Sequence, residues 1–250
     1  MKSLEGVKVV VTGGSRGLGL GMVEALVARK AQVTVVARNP ESLHQVAKRL
    51  GVATVSGDVA DEQLARSVLG DVKPAVLILN AGAKPPGGLI HEQTWEGFTR
   101  TWESDVKATF HWVQQALKLP LPKGSRVLLG SSGAAIGGSP LSGGYAGAKR
   151  MIWLLAQYAN VSSHALQLGI SFQAIVPQQM IGDTDLGRTA AELYAARKGV
   201  TPEQFLAGFG APLSSAQVGE HVAAILTDPK YEQGVAFGLK GDTGITSLDA

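Results

Sequence analysis

The chain has 250 residues, of which 45% are hydrophobic and 17% are charged, and its formal net charge is +3 at pH 7. This length favours a single domain with a sizeable core, and the absence of runs of like charge argues against a nucleic-acid partner. Because the chain has no cysteine, disulfides, thiolate metal ligands and cysteine nucleophiles are excluded.

The five histidines are scattered along the chain and do not pair at the spacing of metal ligands, so no metal site is expected. The first eleven residues contain an apolar run too short for the core of a signal peptide. No later run approaches the length of a membrane span. We therefore expect a cytoplasmic protein without membrane contact.

A glycine-rich turn follows the first predicted strand, which covers residues 7–12. The turn reads Thr-Gly-Gly-Ser-Arg-Gly-Leu-Gly, and a helix-forming stretch at residues 20–30 comes directly after it. Between a strand and a helix, glycines let the backbone approach a pyrophosphate whose charge meets the helix N-terminus. The spacing differs from the Gly-x-Gly-x-x-Gly fingerprint, but its position predicts a phosphate-binding turn.

The second predicted strand, residues 32–37, ends without an acidic residue. A carboxylate there would accept the ribose hydroxyls of NAD and repel the 2′-phosphate of NADP. Here Ala37 is followed by Arg38, and Arg16 lies in the glycine turn. Two guanidinium groups without a carboxylate favour NADP. The plainer alternative is that both arginines are only solvated.

Further strands are predicted at residues 52–56, 75–79, 126–129, 169–176 and 235–239, and helices alternate with them. This alternation predicts an α/β fold: a single Rossmann-like domain with a doubly wound parallel sheet of about seven strands and helices on both faces. Asn39 and Pro40 are expected to begin the helix at residues 40–50. Residues 179–211 have a looser pattern, with a short helix capped by Thr201, and are expected to form a lid over the substrate.

Two long helices are predicted to bury apolar side chains. In residues 94–117, apolar residues three and four apart make one face that we expect to pack into the core; they are Trp95, Phe98, Trp102, Val106, Phe110, Val113 and Leu117. The helix that begins near Tyr145 is apolar on all sides at residues 151–156. Such a helix is buried inside the fold or against another subunit, so a homodimer or homotetramer is expected.

Residues 131–149 combine several serines with one tyrosine and one lysine, between a predicted strand and a long helix. Tyr145 and Lys149 are four residues apart and share a helix face, so the lysine charge lies close to the phenol. A free tyrosine titrates near pH 10, and a nearby ammonium favours the phenolate. The pair therefore indicates general acid/base chemistry.

Over nearly its full length the chain resembles a classical short-chain dehydrogenase/reductase. Four ordered motifs carry the resemblance: the glycine turn, Asp58-Val59, Asn80-Ala81-Gly82 and Tyr145-Ala-Gly-Ala-Lys149. The resemblance implies that the following residues bind the cofactor: Gly13, Ser15, Arg16, Gly17, Leu18, Gly19, Arg38, Asp58, Val59, Asn80, Ala81, Gly82, Tyr145, Lys149, Pro177 and Thr184.

The resemblance also implies the catalytic roles. Tyr145 exchanges a proton with the substrate oxygen while a hydride passes between the nicotinamide and carbon, Lys149 holds the nicotinamide ribose, and a serine about thirteen residues before the tyrosine orients the carbonyl. That spacing selects Ser132 over Ser131. The substrate is expected to be an uncharged, partly apolar carbonyl or alcohol, surrounded by residues 83–90, 133–142 and 178–211.

Two departures from the family pattern leave alternatives open. Where the family has an asparagine whose main chain holds a water on a proton relay to the lysine, this chain has Asp105, which would either stabilise Lys149 or disturb the relay. Pro177-Gln178 replaces Pro-Gly, and Thr184 comes about two positions late for its nicotinamide contact. A nucleotide-binding sensor or scaffold with impaired catalysis is therefore the alternative to an NADP-dependent oxidoreductase. An epimerase or dehydratase of the extended relatives is less favoured.

Overall fold

A computed structural model describes residues 1–249. Its centre is one eight-stranded sheet in the order β3-β2-β1-β4-β5-β6-β7-β8, parallel from β3 to β7, with β8 antiparallel to β7. The strands are β1 (Lys8–Thr12), β2 (Gln32–Ala37), β3 (Ala53–Ser56), β4 (Val76–Leu79), β5 (Arg126–Gly130), β6 (Ser171–Pro177), β7 (Ala236–Lys240) and β8 (Gly244–Ser247). The predicted parallel sheet is confirmed, and β8 is an addition to it.

Helices cover both faces of the sheet. They are α1 (Gly17–Ala28), α2 (Pro40–Leu50), α3 (Glu62–Val72), α4 (Trp95–Thr101), α5 (Lys107–Lys118), α6 (Ala134–Gly137), α7 (Tyr145–Ala165), α8 (Asp185–Lys198), α9 (Pro202–Ala207) and α10 (Ser215–Thr227), with 3₁₀ turns at Ile90–Glu92 and Pro229–Tyr231. Among the described residues, no helix has both the length and the apolar character needed to cross a bilayer.

The sheet is buried on both faces because each face has its own apolar cluster. One cluster joins α1 and α10 to the sheet through Met22, Leu26 and Val222. The other joins α5 and α7 to the opposite face through Trp112 and Ile152. Side chains of consecutive strand residues point to opposite faces, so the near-continuous apolar runs of β1 and β4 supply both clusters.

The predicted caps begin their helices as expected. The Asn39 side chain accepts a hydrogen bond from the Ser42 amide at 2.9 Å, with Pro40 in the first helical position. Thr201 and Gln204 form a reciprocal capping box before α9. Within residues 179–211, whose sequence pattern is loose, the structure forms the 14-residue helix α8 at Asp185–Lys198, which that pattern did not predict.

The long helical segment predicted at residues 94–117 is confirmed, since residues 95–118 are helical throughout, but the prediction that its whole aromatic face is buried is wrong. A π-helical turn, Trp102–Val106, separates α4 from α5. Trp95, before this turn, is 78% exposed. After the turn, which shifts the helix faces by about one residue, Phe110 is 45% exposed while Trp112 is fully buried. Trp95, Trp102 and Phe110 thus lie on the outside, whereas Val113 of the same predicted face is buried, and the π turn directs Asp105 inward.

A buried guanidinium ties the sheet to its C-terminal helix. Arg126 begins β5 and is 4% exposed. It donates to the carbonyl oxygens of Ile225 (2.5 Å) and Tyr231 (3.0 Å) and to the side-chain oxygen of Gln173. Burial lowers the pKa of Arg126, with Glu232 acting in the opposite sense. The group is thus solvated by neutral acceptors, which lets one side chain connect β5, β6 and the end of α10.

Candidate active site

A cavity lies where β1 and β4, which are neighbours in the sheet but not in the chain, end side by side. Ligands of doubly wound sheets bind at such a reversal of strand order. The cavity is about 510 Å³, within the range of small-molecule sites. Its lining includes these predicted residues: Gly13, Ser15, Arg16, Gly17, Leu18, Arg38, Val59, Asn80, Ala81, Gly82, Asp105, Tyr145, Lys149, Pro177 and Thr184.

Three predicted residues lie outside this lining. Gly19 is buried beneath the glycine turn, where an added Cβ would meet the Gly13 carbonyl oxygen at 2.2 Å. Asp58 is exposed, and its carboxylate accepts a hydrogen bond from the Ala60 amide at 3.0 Å. Ser132 is half-buried beyond the cavity wall. The structure therefore brings most, but not all, of the predicted residues together.

The glycine turn is shaped to leave the cavity floor open. Gly13 has a φ of +70° and lies so close to the loop after β4 that a Cβ would come within 2.7 Å of the Ala81 Cα. Gly17, with a φ of +53°, begins α1. Because left-handed backbone and close approach both favour glycine, the turn presents main-chain N–H groups and a helix N-terminus, which suits a phosphate group.

The ends of β1 and β4 are held in register by one hydroxyl. Thr12 Oγ1 accepts hydrogen bonds from the amides of Asn80 (3.1 Å) and Ala81 (3.3 Å), and it contacts the Ile78 carbonyl at 3.4 Å. These bonds fix the Asn80-Ala81-Gly82 loop against the glycine turn. Thr12 thereby positions the floor of the cavity without contributing to its lining.

One end of the cavity carries two arginines and one carboxylate. Arg16 is 77% exposed in its side chain and lies 3.7 Å from Asp185. Arg38 is exposed beside Ala37, where β2 ends. Asp185 stands in the first turn of α8 and also pairs with Arg188. Sequence reasoning missed Asp185, because only the folding of α8 over this end brings it to the arginines.

The other end holds a compact arrangement of a tyrosine, a lysine and an aspartate. Tyr145 and Lys149 stand one turn apart on α7, with the lysine Nζ 5.6 Å from the centre of the phenol ring. Lys149 Nζ donates to the Gly130 carbonyl at 3.2 Å and lies 3.1 Å from Asp105 Oδ2. The Lys149 side chain is 8% exposed and that of Asp105 is 1% exposed. The ion pair is therefore buried in the cavity wall.

The charge state of Lys149 follows from its neighbours. Burial lowers the pKa of Lys149, but the negative charge of Asp105 and the Tyr145 hydroxyl outweigh burial and raise that pKa above its ordinary value. The Asp105 contact is an ion pair rather than a well-aligned hydrogen bond, since Oδ2 has no hydrogen-bond donor among residues 1–249. Lys149 is thus an ammonium throughout the neutral pH range.

The two adjacent serines have different environments. Ser131 is 7% exposed, lines the cavity, and donates its hydroxyl to the Lys149 carbonyl at 2.8 Å. Ser132 accepts a weak hydrogen bond from the Ala134 amide at 3.3 Å. The Ser131 hydroxyl is therefore committed to holding α7 against β5. The role of Ser132 toward a substrate stays a prediction.

Thr184 lies in the cavity wall, but its hydroxyl is used within its own loop. It accepts a hydrogen bond from the Gly187 amide at 3.0 Å and donates to the Ile181 carbonyl at 2.9 Å, so that it caps α8. The nicotinamide contact implied for Thr184 would require its side chain to give up this cap.

Lys84, which follows the Asn80-Ala81-Gly82 motif, also lines the cavity, and no pattern in the sequence singled it out. No metal-binding group of three or more side chains occurs in residues 1–249.

Comparisons with known proteins identify the family of this chain. The family model described as short chain dehydrogenase matches residues 7–193. The 2,5-dichloro-2,5-cyclohexadiene-1,4-diol dehydrogenase of Sphingobium indicum is 30% identical over 188 residues, which is 71% of this chain and 74% of that protein. Human L-xylulose reductase is 34% identical over 106 residues, or 42% and 43% of the two chains.

A solved structure has the same fold. The L-sorbose reductase from Gluconobacter frateurii, complexed with NADPH and L-sorbose, is 20% identical to this chain. It superimposes with a TM-score of 0.76 over 96% of this chain and 97% of its own.

Fold and cavity together define an α/β protein with a glycine turn in the cavity wall and a tyrosine-lysine pair at one end of the cavity. The chain belongs to the short-chain dehydrogenase/reductase family, whose members are oxidoreductases that use a nicotinamide cofactor.

Proposed function

We propose that the protein is an NADP(H)-dependent oxidoreductase that interconverts a carbonyl and an alcohol, with Tyr145 as the general acid/base. The observation that carries the proposal is the Lys149 ammonium, 5.6 Å from the centre of the Tyr145 ring, in the cavity that also contains the glycine turn. A phenol beside a fixed positive charge, next to a phosphate-binding turn, suits proton exchange coupled to a nucleotide.

The residues of the cavity fit such a cofactor. Gly13 lets the turn pack against Ala81, where a Cβ would clash, and the turn would offer its N–H groups and the α1 N-terminus to the pyrophosphate. Arg16 and Arg38 would hold the 2′-phosphate, and Lys149 would hold the nicotinamide ribose. When bound, the nicotinamide supplies or accepts the hydride.

The protein side of the reaction is a single proton transfer. In the reducing direction the carbonyl carbon gains a hydride and its oxygen gains the proton of the Tyr145 hydroxyl, which converts C=O to CH–OH. The Lys149 ammonium stabilises the negative charge left on the phenol oxygen. Ser132 would orient the substrate oxygen through its hydroxyl. In the oxidising direction the same groups take the proton back.

The preference for NADP rests on charge at one end of the cavity. Arg16 and Arg38 both line it, and β2 ends in Ala37 rather than in a carboxylate. A guanidinium pairs well with a phosphate. Asp185 weakens this argument at Arg16 only, because it pairs with that arginine.

Tyr145→Phe tests the proposal. The variant removes one hydroxyl and should reduce kcat for any confirmed carbonyl substrate by about 10²- to 10⁴-fold, while NADPH binding, measured by its fluorescence, changes little. Tyr158→Phe, on the exposed side of the same helix, is the matched control and should keep full activity. If Tyr145→Phe keeps near-native turnover, the assignment of Tyr145 is wrong. If the native protein binds NADPH but reduces no member of a panel of ketones and aldehydes, the result favours the alternative of a nucleotide-binding sensor or scaffold.

Residues 179–211 serve as the lid of this one domain. Their helix α8 contacts one loop expected around the substrate, since the Tyr194 hydroxyl lies 3.0 Å from Ser139 Oγ, and it pairs through Arg197 with Glu92, just beyond the other loop, at 2.8 Å. The Tyr194 ring also stacks on Phe205 of α9. A lid attached in this way would shape the pocket for an uncharged, partly apolar carbonyl or alcohol substrate.

The outer faces of α4, α5 and α7 would pack against further copies of the chain. Trp95 and Phe110 are exposed there, and on α7 Val161 is 70% exposed. Exposed apolar side chains grouped on neighbouring helices are typical of protein interfaces. A homodimer or homotetramer is expected by light scattering at micromolar concentration, and a monomeric mass would contradict it.

A further inference from the structure

The buried carboxylate of Asp105 accepts two hydrogen bonds in addition to its ion pair with Lys149. Its Oδ1 accepts hydrogen bonds from the Ala83 amide and from the Ser104 hydroxyl, both at 2.7 Å. Its Oδ2 faces the Lys149 ammonium at 3.1 Å. Asp105 thereby joins three separate elements at the cavity: the loop after β4, the π-helical turn and α7.

The space around this carboxylate admits little else. A Cβ at Gly82 would lie 2.7 Å from Asp105 Oδ2, so glycine at that position leaves room for the side chain. The π turn brings the Asp105 side chain to this space, because its extra residue directs position 105 toward the cavity while Trp102 remains on the outside. Together, Gly82 and the π turn place Asp105 Oδ2 beside the Lys149 ammonium, while Oδ1 accepts its two hydrogen bonds.

The ammonium of Lys149 has three N–H donors. One is used by the Gly130 carbonyl at 3.2 Å, and Asp105 Oδ2 holds the positive charge from a second direction. That leaves two N–H donors without a hydrogen-bond acceptor in the protein, at least one of which can face the cavity. Tyr145 is the other titratable group that raises the pKa of Lys149. Lys84, in the loop after β4, also lines the cavity and is exposed.

We propose that Asp105 is a positioning residue that keeps Lys149 in its ammonium form against the cavity wall, with one N–H directed to the cofactor side. The inference rests on the proposed function only in its catalytic consequence, since the ion pair itself exists without substrate or cofactor. Without the carboxylate, a buried lysine would retain the cost of desolvation but lose its compensating charge.

The direction of the pH effect follows from these contacts. Asp105 and Tyr145 raise the pKa of Lys149 against the opposing effect of burial. The stability that the pair contributes is therefore present at neutral pH and is lost as the pH rises through the folded-state pKa. Removing the carboxylate lowers that pKa, so the lysine gives up its proton at lower pH.

Asp105→Asn is the informative change, because it keeps the size of the side chain and an oxygen that can accept from Ala83 and Ser104. It replaces Oδ2 with an amide N–H₂ group facing the ammonium. Asp105→Ser, which is smaller and also uncharged, provides a second variant without that amide. Glu103→Gln removes an exposed carboxylate from the same π turn and is the matched control.

The test follows the Nζ resonance of Lys149 by ¹⁵N NMR in the protein without cofactor, from pH 6 to pH 11. The resonance is assigned by its disappearance in Lys149→Arg. We expect the titration to shift to lower pH in both uncharged Asp105 variants and to stay unchanged in Glu103→Gln. NADPH binding should become weaker with rising pH in the same two variants. If both titrate like the native protein, or if Glu103→Gln shifts equally, the proposal is overturned.

Catalysis provides a separate outcome. The alkaline limit of kcat/KM should move to lower pH in Asp105→Asn, in parallel with the NMR titration. A protein with no carbonyl reductase activity would contradict the proposed function while leaving the NMR result to decide the role of Asp105. A loss of activity that is equal at every pH, together with an unshifted lysine titration, would show that Asp105 has only a structural role.

Discussion

Arg38 offers the sharpest test of cofactor choice, because its side chain is exposed at the cavity and lies where β2 ends. Among residues 1–249 it forms no ion pair, whereas Arg16 is already within 3.7 Å of Asp185. Arg38 therefore has its guanidinium free for a 2′-phosphate. Arg38→Ala should weaken NADPH binding more than Arg16→Ala does.

The size of the effect follows from exposure. A hydrogen bond to a charged group contributes about 1.5–3 kcal/mol, and solvent screening at an exposed site reduces this to about 1–2 kcal/mol. That range corresponds to a loss of about 5- to 30-fold in NADPH affinity. NADH has no 2′-phosphate, so its dissociation constant should change by less than about twofold by the same argument.

Fluorescence titration of NADPH and NADH at one fixed ionic strength measures both constants, since salt screens exposed charges. Arg66→Ala removes an exposed arginine from α3, away from the cavity, and should leave both affinities unchanged. Equal losses for the two cofactors, or no loss for either, would refute the assignment of Arg38 to the 2′-phosphate.

Two further predictions concern charge in other parts of the fold. Asp185→Asn should strengthen NADPH binding by releasing Arg16, measured in the same titration, with Glu192→Gln on the exposed side of α8 as a control that should change nothing. Arg126→Met should lower the free energy of unfolding by about 2–4 kcal/mol, because the buried oxygens of Gln173 and Ile225 lose their donor while the cost of burying a charge disappears. Calorimetry should then show a melting temperature lower by about 5–15 °C. An unchanged melting temperature would contradict the stabilising role given to the Arg126 hydrogen bonds.

The sheet and the glycine turn could be predicted because their signals are local. The apolar runs that became β1 and β4 are buried on both faces, and such runs alternating with helices specify a parallel sheet. Gly13 sits at a φ that favours glycine, and its position between a strand and a helix is visible in the chain itself. Tyr145 and Lys149 meet because four residues make one helical turn.

The aromatic face at residues 94–117 shows why periodicity can mislead. The sequence pattern assumes 3.6 residues per turn, and the π turn at Trp102–Val106 breaks that assumption. Whether such a turn forms depends on what its extra residue gains elsewhere in the fold. Here the gain is the contact of Asp105 with Lys149 and Ala83, residues that are distant in the chain.

By itself, the sequence determined the alternation of strands and helices that makes a parallel sheet, the glycine turn after β1 and the tyrosine-lysine pair, because each depends on neighbours within a few residues or on a repeating pattern. Only the tertiary structure decided that Asp105 faces Lys149, that Asp185 reaches Arg16 and that the Thr184 hydroxyl is engaged within its own loop. In the first two cases the physical reason is the same: charges interact through space, and the fold sets the distances between residues far apart in the chain. For Thr184 the reason is the conformation of its loop, which brings the Ile181 carbonyl and the Gly187 amide to its hydroxyl.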